Sequence, residues 1–248
     1  MTQHNADMPI CPQLSIVIPA LNEADYLGQT LSAVKRRATH FLGLEIIVVD
    51  SGSCDATQSV ARDHGARVIV SDTGGSGRGE PLNKGAMVSR GNVLLFLDAD
   101  VTPPDGFDTL IYQALSSKTV LGGAFEFAFD GEEYGLRVVE FINKVRYKIR
   151  QRFYGDQGVF VRRDAFDRVG GIPLHDLMDI PHFCASLREI GHLELIPKPI
   201  LTSPRRFRAG GIYRTLLKDI EIWACDMLGF STGRYVRTYW KENVQRAS

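Results

Sequence analysis

Over the first hundred residues, short apolar runs rich in β-branched side chains alternate with longer mixed segments. LSIVI (Leu14–Ile18), LEIIVV (Leu44–Val49), ARVIV (Ala66–Val70) and NVLLFL (Asn92–Leu97) are almost continuously apolar, the pattern of strands covered on both faces. Residues 23–37, 55–64 and 81–90 between them carry helical spacing, the second with Ser53 or Asp55 as a cap and Gly65 as a stop. The predicted order is βαβαβα. Buried strands joined by helices imply an α/β fold with a mostly parallel central sheet, right-handed crossovers and helices on both faces. Beyond residue 100 the pattern loosens into a strand over 120–129, a basic helix over 134–152, a strand near 158–161 and a helix around 180–190. No linker-like tract interrupts the chain, so 14–200 reads as one domain of two halves, 14–100 and 101–200. Residues 201–248 form a basic, amphipathic helical extension.

Composition is that of an ordinary globular protein: 248 residues, 44% hydrophobic and 23% charged. The 29 basic residues balance 29 acidic ones, which removes the positive field of a general nucleic-acid binder. Charge is uneven along the chain, however. Residues 1–136 hold 9 Lys/Arg against 17 Asp/Glu, whereas 137–168 and 201–248 each hold 9 against 4. The four cysteines, Cys11, Cys54, Cys184 and Cys225, show neither a disulfide framework nor Cys-x-x-Cys spacing, the usage of a reducing cytosol. Residues 1–13 lack a basic and apolar leader pattern, and no run of about 18 apolar residues occurs. Neither a signal peptide nor a membrane span is expected.

In parallel sheets, ligands sit outside the carboxyl ends of the strands. The residues there are polar and mostly acidic: Pro19-Ala-Leu-Asn-Glu23, Asp50-Ser-Gly-Ser, Gly74-Gly-Ser-Gly-Arg-Gly79 and Asp98-Ala-Asp100. The Asp98/Asp100 couple leaves a buried strand and offers hard oxygen ligands suited to Mg2+ or Mn2+, ions that bridge to diphosphate oxygens. The competing reading is a solvated acidic turn ahead of Pro103-Pro104. Asp50 is followed by small residues that let a flat ring approach, and Ser53 and Asp55 are better placed to cap the next helix. Glu23 serves equally as a first-turn helix carboxylate. The glycine-rich stretch carrying Arg78 and Lys84 into a helix suits a diphosphate. It is neither a P-loop nor a G-x-G-x-x-G fingerprint, and a solvated loop is its alternative.

Four segments, Ser15–Glu23, Val48–Thr57, Gly77–Ala86 and Leu95–Asp100, together resemble the ordered motifs of family 2 glycosyltransferases with the GT-A fold, a Rossmann-like fold for nucleotide-sugar transferases. The likeness covers roughly 14–200, and Tyr154-Gly-Asp156-Gln157-Gly158 resembles a segment of small bacterial members. It implies a nucleotide-binding half over 14–100 and an acceptor half over 101–200. Position by position, it implies that Glu23 and Asp50 contact the nucleoside, Arg78 lies near the base or diphosphate, Asp98 near ribose and metal, and Asp100 ligates the metal. Pro19 and Asn83 join the donor site through the same motifs. Met178-Asp179 resembles a Glu-Asp pair whose Asp is the general base, with Met178 in place of the Glu. The Gln-x-x-Arg-Trp motif of processive members is missing, and Arg205-Arg206-Phe207 stands near its place, which implies one sugar per visit.

The expected activity is therefore an inverting, metal-dependent transfer of a sugar from a nucleoside-diphosphate donor, UDP-linked ahead of GDP-linked. Asp179 is the first choice of base and Asp156 the second, while a plain helix N-terminal carboxylate ahead of Pro181 also accounts for Asp179. The spacing of His175, His182 and His192 suits no paired metal ligands. A sugar-1-phosphate nucleotidyltransferase would need its glycine-rich loop after the first strand, where Pro19–Glu23 stands. A non-catalytic nucleotide-sugar-binding protein is favoured only by Met178. The basic segment 134–152 and the amphipathic segment 211–228 make an anionic membrane surface, the inner face of the cell membrane, an expected contact, and a lipid or lipid phosphate an expected acceptor.

Overall fold

The computed structural model describes residues 14–40, 43–71, 77–150, 152–175 and 177–236, with backbone alone at 148–150. Strand β1 (Leu14–Ala20) lies between β2 (Leu44–Asp50) and β4 (Val93–Phe96), parallel to both, with Leu14 opposite Leu44 and Val93. Strand β3 (Arg67–Val70) adds parallel to β2. The continuous apolar character of β1 has a simple cause. Leu14, Ile16 and Ile18 face Leu27, Leu31 and Val34 of α1 (Ala24–Arg37), whereas Val17 faces Leu82 and Ala86 of α3 (Gly79–Val88). Alternate side chains are thus buried on opposite sides. Helix α2 (Thr57–Asp63) completes the predicted βαβαβα order. Gly85 is needed where α3 crosses the sheet, because a Cβ there would stand 2.3 Å from Val17 Cγ1.

The second half comprises β5 (Val101–Thr102), α4 (Phe107–Ala114), β6 (Val120–Phe129), α5 (Tyr134–Arg150), a 3-10 turn (Gly155–Gln157), β7 (Val159–Arg162), α6 (Arg163–Arg168), α7 (Asp179–Ile190), β8 (His192–Thr202), α8 (Arg205–Gly210) and α9 (Ile212–Met227). The sheet has eight strands in the order β3-β2-β1-β4-β7-β6-β8-β5. Four of its pairings are parallel and three, β4–β7, β6–β7 and β5–β8, antiparallel. The parallel character is complete on the β1 side and gives way to a mixed sheet beyond β4. The sequence pattern missed β8, which carries Pro197 and Pro199. Its pairing with β6 jumps from Phe125↔Ile196 to Glu126↔Pro199, so the strand bulges at the prolines and loses the alternation that marks a strand.

Helices cover both faces. A third apolar cluster joins Phe127 and Phe129 of β6 to Leu136 and Val139 of α5, Phe207 of α8 and Leu216 of α9. Phe129 makes edge contacts with Phe127 and Phe207, at centroid distances of 4.7 and 5.0 Å. These contacts fasten α8 and α9 beside the sheet; the remainder of the C-terminal extension, 237–248, lies outside the described residues, as do 1–13 with Cys11. Cys54, Cys184 and Cys225 are unpaired thiols. Among the described residues no helix is long and apolar enough to cross a membrane.

Candidate active site

The carboxyl ends of β1 and β4 open into a cleft of about 270 Å³, whose far wall is made by β6, α5, α7, α8 and α9. Hydrogen bonds between two loops set its near edge. Ser53 Oγ accepts from Asn22 N at 2.9 Å, Thr57 Oγ1 from Glu23 N at 2.8 Å and Asp55 Oδ2 from Ala24 N at 3.2 Å. Ser53 and Asp55 thus tie the start of α1, and Asp55 Oδ1 also accepts from Thr57 N at the head of α2. The consequence is a fixed Glu23 at the cleft.

The Asp98-Ala-Asp100 turn is anchored through its middle. Ala99 is buried against α1, its carbonyl accepting from Thr30 Oγ1 at 2.8 Å, so the two flanking residues line the cleft. Each meets a guanidinium. Arg78 pairs with Asp98. Arg205 reaches Asp100 Oδ2 through Nε at 2.8 Å and Glu23 Oε1 through Nη2 at 2.6 Å, its guanidinium carbon lying 4.3 Å from the Tyr26 ring centroid. Glu23 Oε2 is buried without a partner among the described residues. Burial raises the Glu23 carboxyl above its ordinary value, while Arg205 pulls it back down.

No group of three or more His, Cys, Asp or Glu among the described residues could hold a metal ion alone. The donor set of Asp98 and Asp100 still fits Mg2+ or Mn2+. Such ions keep several waters and take the remaining oxygens from substrate phosphates.

Asp179 opens α7 after Met178, which adopts a left-handed φ of 65°. It is 8% exposed. Its Oδ1 accepts from Ile180 N at 2.7 Å. Burial pushes its carboxyl up, opposed chiefly by Arg78. Asp156 lies in the 3-10 turn, held by Gln157, whose side chain accepts from Tyr154 N and donates to Phe125 O, each at 3.1 Å. Burial raises this carboxyl too, against the attraction of Arg146, Arg206 and Arg78.

Of the residues singled out from sequence, Pro19, Glu23, Arg78, Asp98, Asp100, Asp156 and Asp179 share this cleft. Asp50 and Asn83 are not in its lining. Asp50 is fully buried below it, its Oδ2 accepting from Ser53 N and Gln58 Nε2 and its Oδ1 without a partner among the described residues. Asn83 is clamped to the Ile172 backbone, donating to O at 2.7 Å and accepting from N at 2.8 Å. Residues 73–76 of the glycine-rich stretch lie outside the described residues. His192 is exposed at the head of β8. His175 and His182 stack at 4.6 Å, and His182 Nε2 lies 2.8 Å from Asp226 Oδ1.

The lining also contains Phe127, Phe129, Asn143, Arg146, Tyr154, Arg206, Phe207, Asp219 and Ile222, none of which was assigned to a site from sequence. The sequence signals that point that way are the Arg205-Arg206-Phe207 position, the Tyr154–Gly158 segment and the basic segment that holds Arg146. Three of the basic residues in the 134–152 segment are engaged internally, Arg137 with Glu140 at 2.7 Å, and Lys144 with Glu126 and Arg152 with Asp226, each at 3.2 Å.

Comparison with known proteins places these features in context. Residues 15–170 match the profile of "Glycosyl transferase family 2". Glycosyltransferase AglE of Haloferax volcanii is 30% identical over 174 residues, 66% of this chain and 57% of its own length, so the chain spans little more than half of that relative. Among solved structures, a mannosyltransferase from Pyrobaculum calidifontis in complex with GDP-Man and Mn2+ is similar with a TM-score of 0.59 at 22% identity, covering 77% of this chain and 56% of that one. Glucosyl-3-phosphoglycerate synthase from Mycobacterium tuberculosis, in complex with Mn2+, UDP and glucosyl-3-phosphoglycerate, is similar with a TM-score of 0.62 at 18% identity, covering 88% and 81%. These likenesses share the GT-A fold.

Proposed function

Since the chain belongs to glycosyl transferase family 2, we propose that it transfers a sugar, with inversion, from a nucleoside-diphosphate donor to a lipid or lipid phosphate acceptor. The observation that carries this reading is the meeting of Glu23, Arg78, Asp98, Asp100 and Asp179 in one cleft at the strand ends. Asp98 and Asp100 would hold Mg2+ or Mn2+, which would supply charge stabilisation for a departing diphosphate. Arg78 adds a guanidinium on the same side. Asp179 Oδ accepts the proton of the acceptor hydroxyl, and its raised affinity for protons suits that task. Asp156 is the second candidate for this role. One displacement with one base inverts the anomeric carbon. UDP, the nucleotide in the glucosyl-3-phosphoglycerate synthase complex, is the donor nucleotide we place ahead of GDP. Buried Asp50 acts on the nucleoside side from beneath, and Asn83 supports the site by holding the loop at Ile172.

A membrane contact belongs to the same reading. Twelve large apolar residues are exposed among the described residues, and eight lie on α5, α9 and the turn after it: Tyr134, Phe141, Val145, Tyr213, Leu217, Ile220, Leu228 and Phe230. Residues 134–152 carry six Lys/Arg against one Glu, a charge that suits an anionic bilayer, whereas residues 212–230 carry two against three acidic residues and contribute apolar surface alone.

The test of the transferase reading is thermal-shift screening of UDP, GDP, CDP and dTDP with and without Mn2+, followed by donor consumption with the UDP-sugars. A nucleotide at a hundredfold its Kd stabilises by about 2.7 kcal/mol. Metal-dependent stabilisation by one nucleotide, lost in Asp100→Ala, is expected; no stabilisation by any of the four would overturn the reading.

A further inference from the structure

Four arginines line the cleft, and three are matched by carboxylates: Arg78 by Asp98, Arg205 by Glu23 and Asp100, and Arg206 by Asp219 at 2.7 and 2.8 Å. Arg146 is different. It comes from α5, and its guanidinium carbon lies 3.7 Å from the Tyr154 ring centroid. Its Nε is sealed from solvent and has no hydrogen-bond partner among the described residues, and no ion pair with a described carboxylate accompanies it. A buried guanidinium donor without an acceptor is costly, and a charged oxygen acceptor placed on it restores more than a neutral one would. The stack on Tyr154 fixes the plane of the fork, so the donors are oriented before any ligand arrives.

The surroundings define what would fit. Phe127, Phe129, Phe207 and Ile222 form apolar walls of the same cleft. Asp156 feels both Arg78, on the Asp98 side, and Arg146. Asp156 is thus the carboxylate whose charge Arg146 feels, but no ion pair joins them, and Arg146 is the cleft guanidinium without a carboxylate in hydrogen-bond contact among the described residues. We propose that Arg146 anchors an anionic oxyacid group of the acceptor, a phosphate or carboxylate, whose apolar body lies against Phe127, Phe129, Phe207 and Ile222. The word acceptor rests on the transferase reading; the anion site itself does not. A planar fork matches either oxyacid in a bidentate manner.

The test is calorimetric titration of the full chain with hexyl phosphate, inorganic phosphate and hexanol, using wild type, Arg146→Gln and Arg146→Lys, with melting temperatures recorded to confirm folding. Hexyl phosphate is expected to bind wild type about tenfold more tightly than either fragment. Arg146→Gln should lose about tenfold or more of that affinity, Arg146→Lys should keep part of it, and UDP with Mn2+ should bind all three alike. Equal binding of hexyl phosphate to wild type and folded Arg146→Gln overturns the anchor, as does hexanol binding as tightly as hexyl phosphate. Inorganic phosphate matching hexyl phosphate, with both weakened in Arg146→Gln, upholds the anion anchor and overturns the apolar half, pointing to a free phosphate as the source. Loss of UDP binding in wild type would count against the transferase reading alone, because the hexyl phosphate comparison is made without nucleotide.

Discussion

Arg205 stands 2.8 Å from Asp100 and donates to it from α8, a helix more than a hundred residues later in the chain. The same guanidinium holds Glu23, so one side chain neutralises two carboxylates of the cleft. A divalent ion at Asp100 must compete with that positive charge. Arg205→Met is therefore expected to raise Mn2+ affinity severalfold in the absence of nucleotide. It should also lower stability by about 1–3 kcal/mol, since Glu23 is left in a buried place without its partner. Calorimetric Mn2+ titration and chemical denaturation check the two effects, and unchanged Mn2+ affinity would show that Arg205 does not compete.

Asp100→Ala and Asp179→Asn should each reduce transfer by at least about a hundredfold, the range for loss of metal support or of a general base. Only Asp100→Ala should weaken metal-dependent nucleotide binding. Parallel activity and nucleotide titrations separate the roles. If Asp156→Asn abolishes transfer while Asp179→Asn does not, the base is Asp156.

Because burial raises the Asp179 carboxyl, the acid limb of kcat/KM should lie above the ordinary aspartate range of about 3.9. The base is active when deprotonated, so activity falls as pH drops through that raised value. Stability runs the other way. The folded state binds the extra proton between the unfolded and folded values, so this group's contribution is most favourable below the unfolded value and declines as pH rises through the folded one. Asp179→Asn should therefore melt at a higher temperature than wild type at neutral pH, and a lower one would contradict the assigned cost of burial.

Gly155 lies against the guanidinium of Arg78, and a Cβ there would stand 2.8 Å from Nη1. Gly155→Ala should push Arg78 away from Asp98 and weaken donor nucleotide binding by about tenfold, the worth of one charge-assisted contact. Its backbone does not require glycine, so the melting temperature should change little. Nucleotide titration of the folded variant decides the matter.

Vesicles rich in anionic lipid should pull the protein down at low salt and release it at high salt, since surface attraction is screened over about 10 Å at 0.1 M. Phe141→Glu with Leu217→Glu, both on exposed positions, should abolish pelleting. Wild type left in the supernatant at low salt would remove the membrane contact.

Local pattern made much of the first half readable. Strands β1, β2 and β4 announce themselves because both faces of each are covered, whereas β3, which the apolar run Ala66–Val70 also marks as buried, is an edge strand with Arg67 and Val70 exposed. The polar residues that follow the covered strands emerge at the sheet edge. Asp98 and Asp100 could be picked out for that reason, and residues 120–129 were read with the observed bounds of β6. Strand β8 could not be, because Pro197 and Pro199 break its alternation at a bulge. Asn83 and Asp50 were legible as polar residues in motifs, but their buried hydrogen-bond partners depend on distant backbone and neighbouring loops.

By itself, then, the order of residues determined where the first four strands run, where their polar tips emerge and which carboxylates stand there, since these follow from periodicities of two and 3.6 along a few turns of chain. Only the tertiary structure decided that the sheet reverses direction beyond β4, that Arg205 bridges Glu23 and Asp100, and that Arg146 faces the cleft without an ion pair to a described carboxylate. Those outcomes depend on how α5, α8 and α9 pack against Phe127 and Phe129 of β6. Such packing joins residues far apart in sequence, and no local spacing encodes it.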